Sequence, residues 1–195
     1  MTVLERRTAL SGHSLSGSSP LACKSLPEKP ADAPTGATAI KTPTVEHKGV
    51  RLRNLDREDE ADWRRLWAGY NEFYRASVAP EVTAFTWKRV LDPAIPLLGR
   101  GLETDTGLAG FSLSVLHEGT WVAGKVCYME DLFVDPRCRG QGYGRLLIED
   151  LIELAAINGW STLYWHTQQG NTARRLYDSF IAADDFVRYR MRFSR

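Results

Sequence analysis

The sequence has 195 residues, 43% of them hydrophobic and 25% charged, so it is long enough for one domain with a substantial core. Its formal net charge is only +1, which gives no electrostatic reason to expect nucleic acid or a membrane as a partner. Its three cysteines have no C-x-x-C spacing, and no apolar run approaches the roughly 20 residues of a transmembrane helix. We therefore expect a cytoplasmic protein without a disulfide framework or zinc site.

Residues 1–48 differ in composition from the rest of the chain. They are rich in Ser, Ala, Pro, Thr and Gly, and they contain five prolines and no aromatic residue. Such a segment cannot bury enough apolar surface to offset the entropy of ordering it. We predict a disordered tail at 1–48 and one domain at 49–195. A transit peptide, suggested by Arg6, Arg7 and several serines, is the alternative for the tail.

The first half of the predicted domain contains a strand, two helices and many aromatic residues. Val50–Arg53 alternates as a strand does, and Asp56 is a typical N-cap for a helix with apolar residues at three- and four-residue spacing. A second helix is predicted over Glu81–Leu91. The aromatic side chains are predicted to form core. Alternatively they form the wall of a pocket for a cationic or amphipathic amine, with Tyr74 and Trp87 as candidates.

The second half contains the segment on which the functional prediction rests. Strands are predicted at 96–103 and 108–116, and then at Cys127–Val134, which ends at Asp135-Pro136 because proline donates no ladder hydrogen bond. A glycine-rich turn, R-G-Q-G-Y-G, follows at 139–144 and leads into a helix with apolar residues at helical spacing. Free backbone N–H groups at a helix N-terminus, beside glycines that allow close approach, are typical of a phosphate-binding site.

The remaining elements predict a β-α-β unit and a closing strand. Leu163–Thr167 is a short aromatic strand that follows the glycine turn after one helix, which is the spacing of a parallel crossover. Asn171 and Thr172 begin a last predicted helix. Phe186–Phe193 alternates regularly, and we predict that it closes the sheet as an edge strand.

Two of these segments resemble motifs of a known family. R-G-Q-G-Y-G at 139–144, between the strand E-D-L-F-V and the helix start R-L-L-I-E, resembles motif A of the GNAT superfamily of acyl-CoA-dependent N-acetyltransferases. N-T-A-R-R-L-Y at 171–177 resembles motif B. The resemblance covers about residues 50–195. It implies the α/β acyl-CoA N-acyltransferase fold, in which helices flank a mixed, mostly antiparallel sheet with a splayed central pair of parallel strands. C-Y-x-E-D-L-F-V is similar to the polyamine (spermidine/spermine) and histone/polyamine branch.

Two other glycine-rich motifs fit less well. A dinucleotide-binding fingerprint follows the first strand of a sheet, whereas this turn comes after several predicted antiparallel strands. A Walker A loop ends in Gly-Lys-Ser or Gly-Lys-Thr, and the turn at 139–144 has no such ending.

The resemblance implies acetyl-CoA as cosubstrate, no metal, and a role for each matched position. The backbone of the turn binds the pyrophosphate in this family, and the end of the preceding strand pairs with the pantetheine arm. Asn171 would lie near that arm, or equally would cap its helix. The implied cofactor-binding residues are Leu132, Phe133, Val134, Arg139, Gly140, Gln141, Gly142, Tyr143, Gly144 and Asn171.

Attack of an amine on a thioester needs a proton acceptor and a donor for the leaving thiolate. An amine with a pKa near 10.4 is almost wholly protonated at neutral pH. Glu130 is therefore predicted as the base, directly or through water, or as a group that orients the substrate. Tyr177 matches the family tyrosine that lies near the sulfur. Asp131 faces away from Glu130 on a regular strand unless a bulge intervenes, and it is a candidate substrate contact with Trp87 and Tyr74.

The predicted function is acetyl transfer from acetyl-CoA to the primary amine of a small molecule, such as a polyamine, an amino acid or a related amine. A protein lysine or N-terminal acetyltransferase and a non-catalytic acyl-CoA sensor are the alternatives, although a sensor would need neither Glu130 nor Tyr177. A homodimer or higher homo-oligomer is expected because dimers are common in the resembling branch. Relatives usually carry a glycine before the last strand, where this chain has Ala182–Asp185, so the local turn is predicted to differ.

Overall fold

The computed structural model describes residues 40–193, and within them it contains a six-stranded sheet with the order β1-β2-β3-β4-β5-β6. The strands are β1 (Val45–His47), β2 (Val50–Asn54), β3 (Leu97–Thr104), β4 (Gly107–His117), β5 (Val126–Val134) and β6 (Thr162–Trp165). The helices are α1 (Glu60–Phe73), α2 (Pro80–Val90), α3 (Tyr143–Asn158) and α4 (Arg174–Tyr177). Neighbouring strands are antiparallel from β1 to β5, and β5 and β6 are parallel.

The folded domain begins before residue 49, inside the segment predicted as a tail. Val45 pairs with Leu52 across β1 and β2. The backbone of Lys41 exchanges hydrogen bonds of 2.7 and 2.8 Å with the side chain of Asn158 at the end of α3. β1 was missed because two of its three residues are exposed, so it has no apolar alternation. The rest of the predicted disordered tail, residues 1–39, lies outside the described residues.

The prediction of a closing strand over Phe186–Phe193 is wrong. In the described part of the chain the sheet ends at β6, and the segment after α4 contains no helix or strand. Its apolar side chains are exposed, with Val187 at 72%, Tyr189 at 91% and Met191 at 78%. Alternation predicts which side chains would share a face if the segment formed a strand. It does not show that the segment can pair with a free edge of the sheet.

One face of the sheet is covered by α1 and α2 and holds the aromatic core. Asp56 caps the 3-10 turn that leads into α1, as predicted, in a capping box with Asp59. Trp63 is fully buried and stacks on Trp87 with ring centroids 4.8 Å apart. Phe111 of β4 meets Trp63 edge-on. Such aromatic pairs add about 0.5–1.5 kcal/mol beyond the area that they bury, so this cluster anchors both helices to the sheet.

The opposite face is covered by α3. Its buried residues Leu147, Ile148, Leu151 and Leu154 pack against the sheet. The helix begins at the glycine turn and ends before Gly159, whose φ of +66° is the left-handed conformation typical of a helix C-cap.

The two parallel strands diverge after four paired positions. β5 and β6 pair from Val126 opposite Thr162 to Met129 opposite Trp165, and Glu130–Val134 has no partner on β6. This opening lies at the same edge of the sheet as the glycine turn, because the turn follows directly from the end of β5. The predicted mixed sheet with a splayed parallel pair is confirmed.

Candidate active site

The glycine-rich turn leaves open space above the start of α3. Gly140 and Gly142 have φ values of +80° and +83°, in the left-handed region that favours glycine. A Cβ atom added at either position would meet no atom within 4 Å. The first N–H groups of an α-helix such as α3 have no acceptor within the helix. The turn therefore fits a pyrophosphate, which backbone N–H groups and the helix dipole would bind.

The side chains of the turn hold its shape and supply a positive charge. Arg139 donates from Nε to the Val134 carbonyl at 3.2 Å, and its guanidinium carbon lies 5.6 Å from the centroid of Phe133. Tyr143 donates from its hydroxyl to Oε1 of Gln141 at 3.0 Å. Arg139 is thus fixed beside the end of β5, where its charge favours an anionic ligand.

The end of β5 exposes backbone rather than side chains to the opening between the strands. Phe133 is buried in the core under α1, while Leu132 and Val134 pack with the cluster beneath α3. With no β6 residue opposite them, their backbone groups on that side are free of ladder hydrogen bonds. A ligand with amide groups along an extended arm, such as pantetheine, could pair with them as an added strand does.

A β-bulge in β5 determines where the two carboxylates lie. Leu113 of β4 pairs with Asp131, and Ser114 pairs with Met129, so Glu130 is an extra residue without a partner on β4. A bulge residue and its neighbour are not held on opposite faces as in a regular strand. Because of this bulge, the side chains of Glu130 and Asp131 can both face the same cleft.

The two carboxylates have different surroundings. Glu130 is exposed, whereas Asp131 is partly buried beside Tyr70 of α1. Burial raises the pKa of Asp131 to about 6; a hydrogen bond from Tyr70 opposes the rise, and the charge of Glu130 adds to it. Asp131 is therefore a carboxyl group that changes charge close to neutrality. Sequence reasoning did not assign Tyr70 to the site, although its position four residues before Tyr74 puts both on one helix face.

Tyr177, Asn171 and Tyr74 meet on the other side of the opening. Asn171 donates from Nδ2 to the Thr167 hydroxyl at 2.8 Å and to the Tyr74 hydroxyl at 3.3 Å, and its Oδ1 accepts from the backbone of Ala173 at 3.0 Å. Burial, aided by Tyr74, raises the pKa of Tyr177 to about 12. The Tyr177 hydroxyl therefore keeps its proton at neutral pH and can donate it.

Trp87 is not part of this site. Its side chain is 3% exposed and packs on Trp63 in the aromatic core, so no acceptor can reach it. The prediction that Trp87 contacts the substrate is therefore wrong. Tyr74 is half-buried, and its ring lies 4.9 Å from that of Tyr70, so it does line the region of the two carboxylates.

Comparison with known proteins gives one consistent result. Residues 57–180 match the acetyltransferase (GNAT) family. The chain is 35% identical over 144 residues to the D-amino-acid N-acetyltransferase HPA3 of Saccharomyces cerevisiae, covering 72% of this chain and 89% of that protein. It is 35% identical over 78 residues to the thialysine N-epsilon-acetyltransferase of Bos taurus, covering 40% and 45% respectively. A ribosomal-protein-alanine N-acetyltransferase from Brucella melitensis biovar Abortus 2308 superposes with a TM-score of 0.63 at 22% identity, over 74% of this chain and 99% of the other.

The chain belongs to the acetyltransferase (GNAT) family. It is an N-acetyltransferase, and the family uses acetyl-CoA as cosubstrate. Within residues 40–193, no helix combines the length and the apolar character needed to cross a bilayer. The same residues contain no group of three or more His, Cys, Asp or Glu side chains arranged to hold a metal ion.

Proposed function

We propose that this enzyme transfers the acetyl group of acetyl-CoA to the primary amine of a small molecule: an amino acid, a polyamine or a related amine. The observation that carries the proposal is the meeting of three features at one opening of the sheet, namely the glycine turn, the carboxylates of β5 and Tyr177. The yeast relative is named for D-amino acids and the bovine relative for thialysine, which supports a small amine rather than a protein as acceptor.

The residues that would hold acetyl-CoA lie in order along this opening. The turn at 139–144 binds the pyrophosphate, with Arg139 beside it. The backbone of Leu132–Val134 that has no β6 partner pairs with the pantetheine arm, except for the Val134 carbonyl, which already accepts from Arg139. Asn171 borders the arm, and its side chain accepts a hydrogen bond from the backbone of Ala173, the residue before α4; the predicted alternative, that Asn171 is the N-cap of this helix, is wrong because Ala173 occupies that position. Acetyl-CoA, once bound, supplies an acyl thioester as the electrophile.

The chain's own residues handle the protons of the reaction. An ammonium group with a pKa near 10.4 must lose a proton before it can attack, which costs roughly 4–5 kcal/mol at neutral pH. Glu130 accepts that proton, directly or through water, and Asp131 contacts the amine beside it. A backbone N–H near Val134 donates to the carbonyl oxygen as its charge develops. Tyr177 donates its hydroxyl proton to the sulfur as the carbon–sulfur bond breaks, and the second proton of the attacking nitrogen, released as the amide forms, restores the tyrosine hydroxyl.

A thiol-release assay with acetyl-CoA and a panel of amines tests the function. We expect turnover with at least one amino acid or polyamine. Tyr177→Phe should lower kcat on the order of 100-fold, as general acid catalysis typically contributes 10²–10⁴-fold, while acetyl-CoA affinity stays within about twofold. Tyr189→Phe, the same change at an exposed site, serves as the control. Tight acetyl-CoA binding without thiol release from any amine would show a sensor instead, and unchanged turnover in Tyr177→Phe would remove Tyr177 from the mechanism.

We propose that the enzyme acts as a homodimer, in the cytoplasm. The cytoplasm is supported by Cys127 and Cys138, which are free thiols. The dimer is supported by the exposed apolar side chains of the C-terminal segment, Val187, Tyr189 and Met191, which need a second copy to be covered.

Light scattering tests the homodimer. We expect twice the chain mass for the wild type and a monomer for the double variant Tyr189→Glu/Met191→Glu, because two charges cannot be buried unpaired in an interface. The control is Arg190→Glu/Arg192→Glu, which introduces two glutamates at the alternate positions of the same segment. A monomeric wild type would contradict the proposal.

A further inference from the structure

Four polar aromatic side chains occupy the sheet face on which Asp131 lies. On β4, Leu113 and Val115 are two residues apart and so share a face, and their β5 partners are Asp131 and Tyr128. Tyr128 in turn pairs with Tyr164 of β6. The bulge at Glu130 makes this possible, because residues 128 and 131 would otherwise face opposite sides.

The tyrosine–histidine cluster consists of His117, Tyr128, Tyr164 and His166. The two tyrosine rings stack with centroids 5.0 Å apart, and the His166 ring meets them edge-on at 5.3 and 5.6 Å. Nε2 of His117 lies 3.3 Å from the Tyr164 hydroxyl. Both tyrosines are half-buried and both histidines are exposed. None of the four belongs to a core cluster of the described residues, so solvent-side polar groups remain available to a ligand.

Charged groups of both signs act on the cluster. Burial raises the pKa of both tyrosine hydroxyls, and the positive charge of Arg188 in the C-terminal segment opposes the rise at both. The charges of Glu130 and Asp131, which lie on the same strand as Tyr128, raise the pKa of Tyr128 further. The two carboxylates therefore act on the Tyr128 side of the cluster, and the guanidinium acts on both tyrosines.

We infer that the tyrosine–histidine cluster and Arg188 bind the carboxylate of an amino-acid acceptor, while the amine of the same molecule faces Glu130 and Asp131. This inference rests on the proposed function and names its substrate class. Hydroxyl, imidazole and guanidinium groups all donate hydrogen bonds, and donors to a carboxylate gain from its charge. The polarity of the site matches that of a zwitterion.

The same arrangement disfavours a diamine or polyamine. Such a molecule places a second ammonium group where an amino acid places its carboxylate. That group would meet Arg188, and like charges brought together in a partly desolvated site destabilise the complex. The enzyme therefore selects amino acids over the amines that result from their decarboxylation, even though both carry the same reacting group.

Matched pairs of acceptors test this selection in the full-length enzyme at saturating acetyl-CoA. The pairs are lysine with 1,5-diaminopentane and D-alanine with ethylamine, which differ only by the carboxylate. We expect kcat/KM to be on the order of tenfold higher for the amino acid of at least one pair, the discrimination of a charge-assisted contact. Arg188→Gln and Tyr164→Phe should remove most of that ratio by raising KM for the amino acid, with the kinetics of ethylamine, which carries no second charge, unchanged.

Arg190→Gln is the control, because it removes the same charge from the same segment two residues away and should leave the ratio intact. A wild-type ratio near one, or variants that slow amino acid and amine alike, would overturn the carboxylate subsite while leaving the proposed acetyltransferase function standing. Absence of thiol release from every amine would overturn the proposed function itself, and the subsite with it.

Discussion

Gly142→Glu is expected to weaken the binding of acetyl-CoA on the order of 100-fold or more. The new carboxylate would project into the open space above the turn, where nothing lies within 4 Å of a Cβ atom, and would repel the pyrophosphate there. Each charge-assisted hydrogen bond to the phosphates is worth about 1.5–3 kcal/mol, so loss of two such bonds accounts for the effect. Calorimetric titration with acetyl-CoA measures it directly.

Gly49→Glu is a matched control for this variant. Gly49 has a φ of +82°, against +83° at Gly142, and a Cβ atom there also meets nothing within 4 Å. Both variants therefore carry the same backbone penalty, about 1–2 kcal/mol for a left-handed residue with a side chain. Gly49 lies in the turn between β1 and β2, so its variant should bind acetyl-CoA as the wild type does. Equal affinity in both variants would place the pyrophosphate elsewhere.

Asp150→Ala is expected to destabilise the fold by about 3–5 kcal/mol. Arg100 of β3 donates from Nε and Nη2 to Asp150 of α3 at 2.8 and 2.7 Å, and their side chains are 0% and 1% exposed. Arg100 also donates to Asn54 and to the Pro43 carbonyl, both at 2.8 Å. Without Asp150, the guanidinium stays buried by this network with no counter-charge, and that is the source of the cost.

Chemical denaturation at neutral pH measures the change in the free energy of unfolding. Glu149→Ala is the control, since Glu149 is the neighbour on α3, its side chain is 44% exposed, and among the described residues it pairs only with Arg145, at 3.7 Å. It should cost less than about 1 kcal/mol. Replacing both partners of the buried pair, as in Arg100→Met/Asp150→Leu, should recover much of the loss because no charge is left unpaired. Wild-type stability in Asp150→Ala would mean that solvent reaches Arg100.

The features that the sequence predicted well are those set by local chemistry. Asp56 is an N-cap because its carboxylate accepts a hydrogen bond from the backbone two residues on, and Gly142 precedes α3 because its backbone conformation disfavours a side chain. The divergence of β5 from β6 was implied only by the family resemblance. Local pattern cannot encode a gap between two strands, since the gap depends on where each strand stops pairing.

The details of the site depend on tertiary partners and were not predictable in the same way. The bulge at Glu130 arises from the register between β4 and β5, which neither strand specifies alone. The pKa of Asp131 depends on Tyr70, which comes from a helix some sixty residues earlier in the chain. The sequence pattern favoured core for the aromatic residues but left a pocket contact open for Trp87, and its packing against Trp63 assigns it to the core.

The hydrogen bonds between Lys41 and Asn158 also determine where a linker or surface attached at Lys41 leaves the domain. Asn158 is the last residue of α3, and the glycine turn lies at the first. At 1.5 Å per residue, the 16 residues of the helix separate the two by about 24 Å. A linker or surface attachment joined at Lys41 therefore emerges at the end of α3 remote from the glycine turn, so an immobilised enzyme can present that turn to solution.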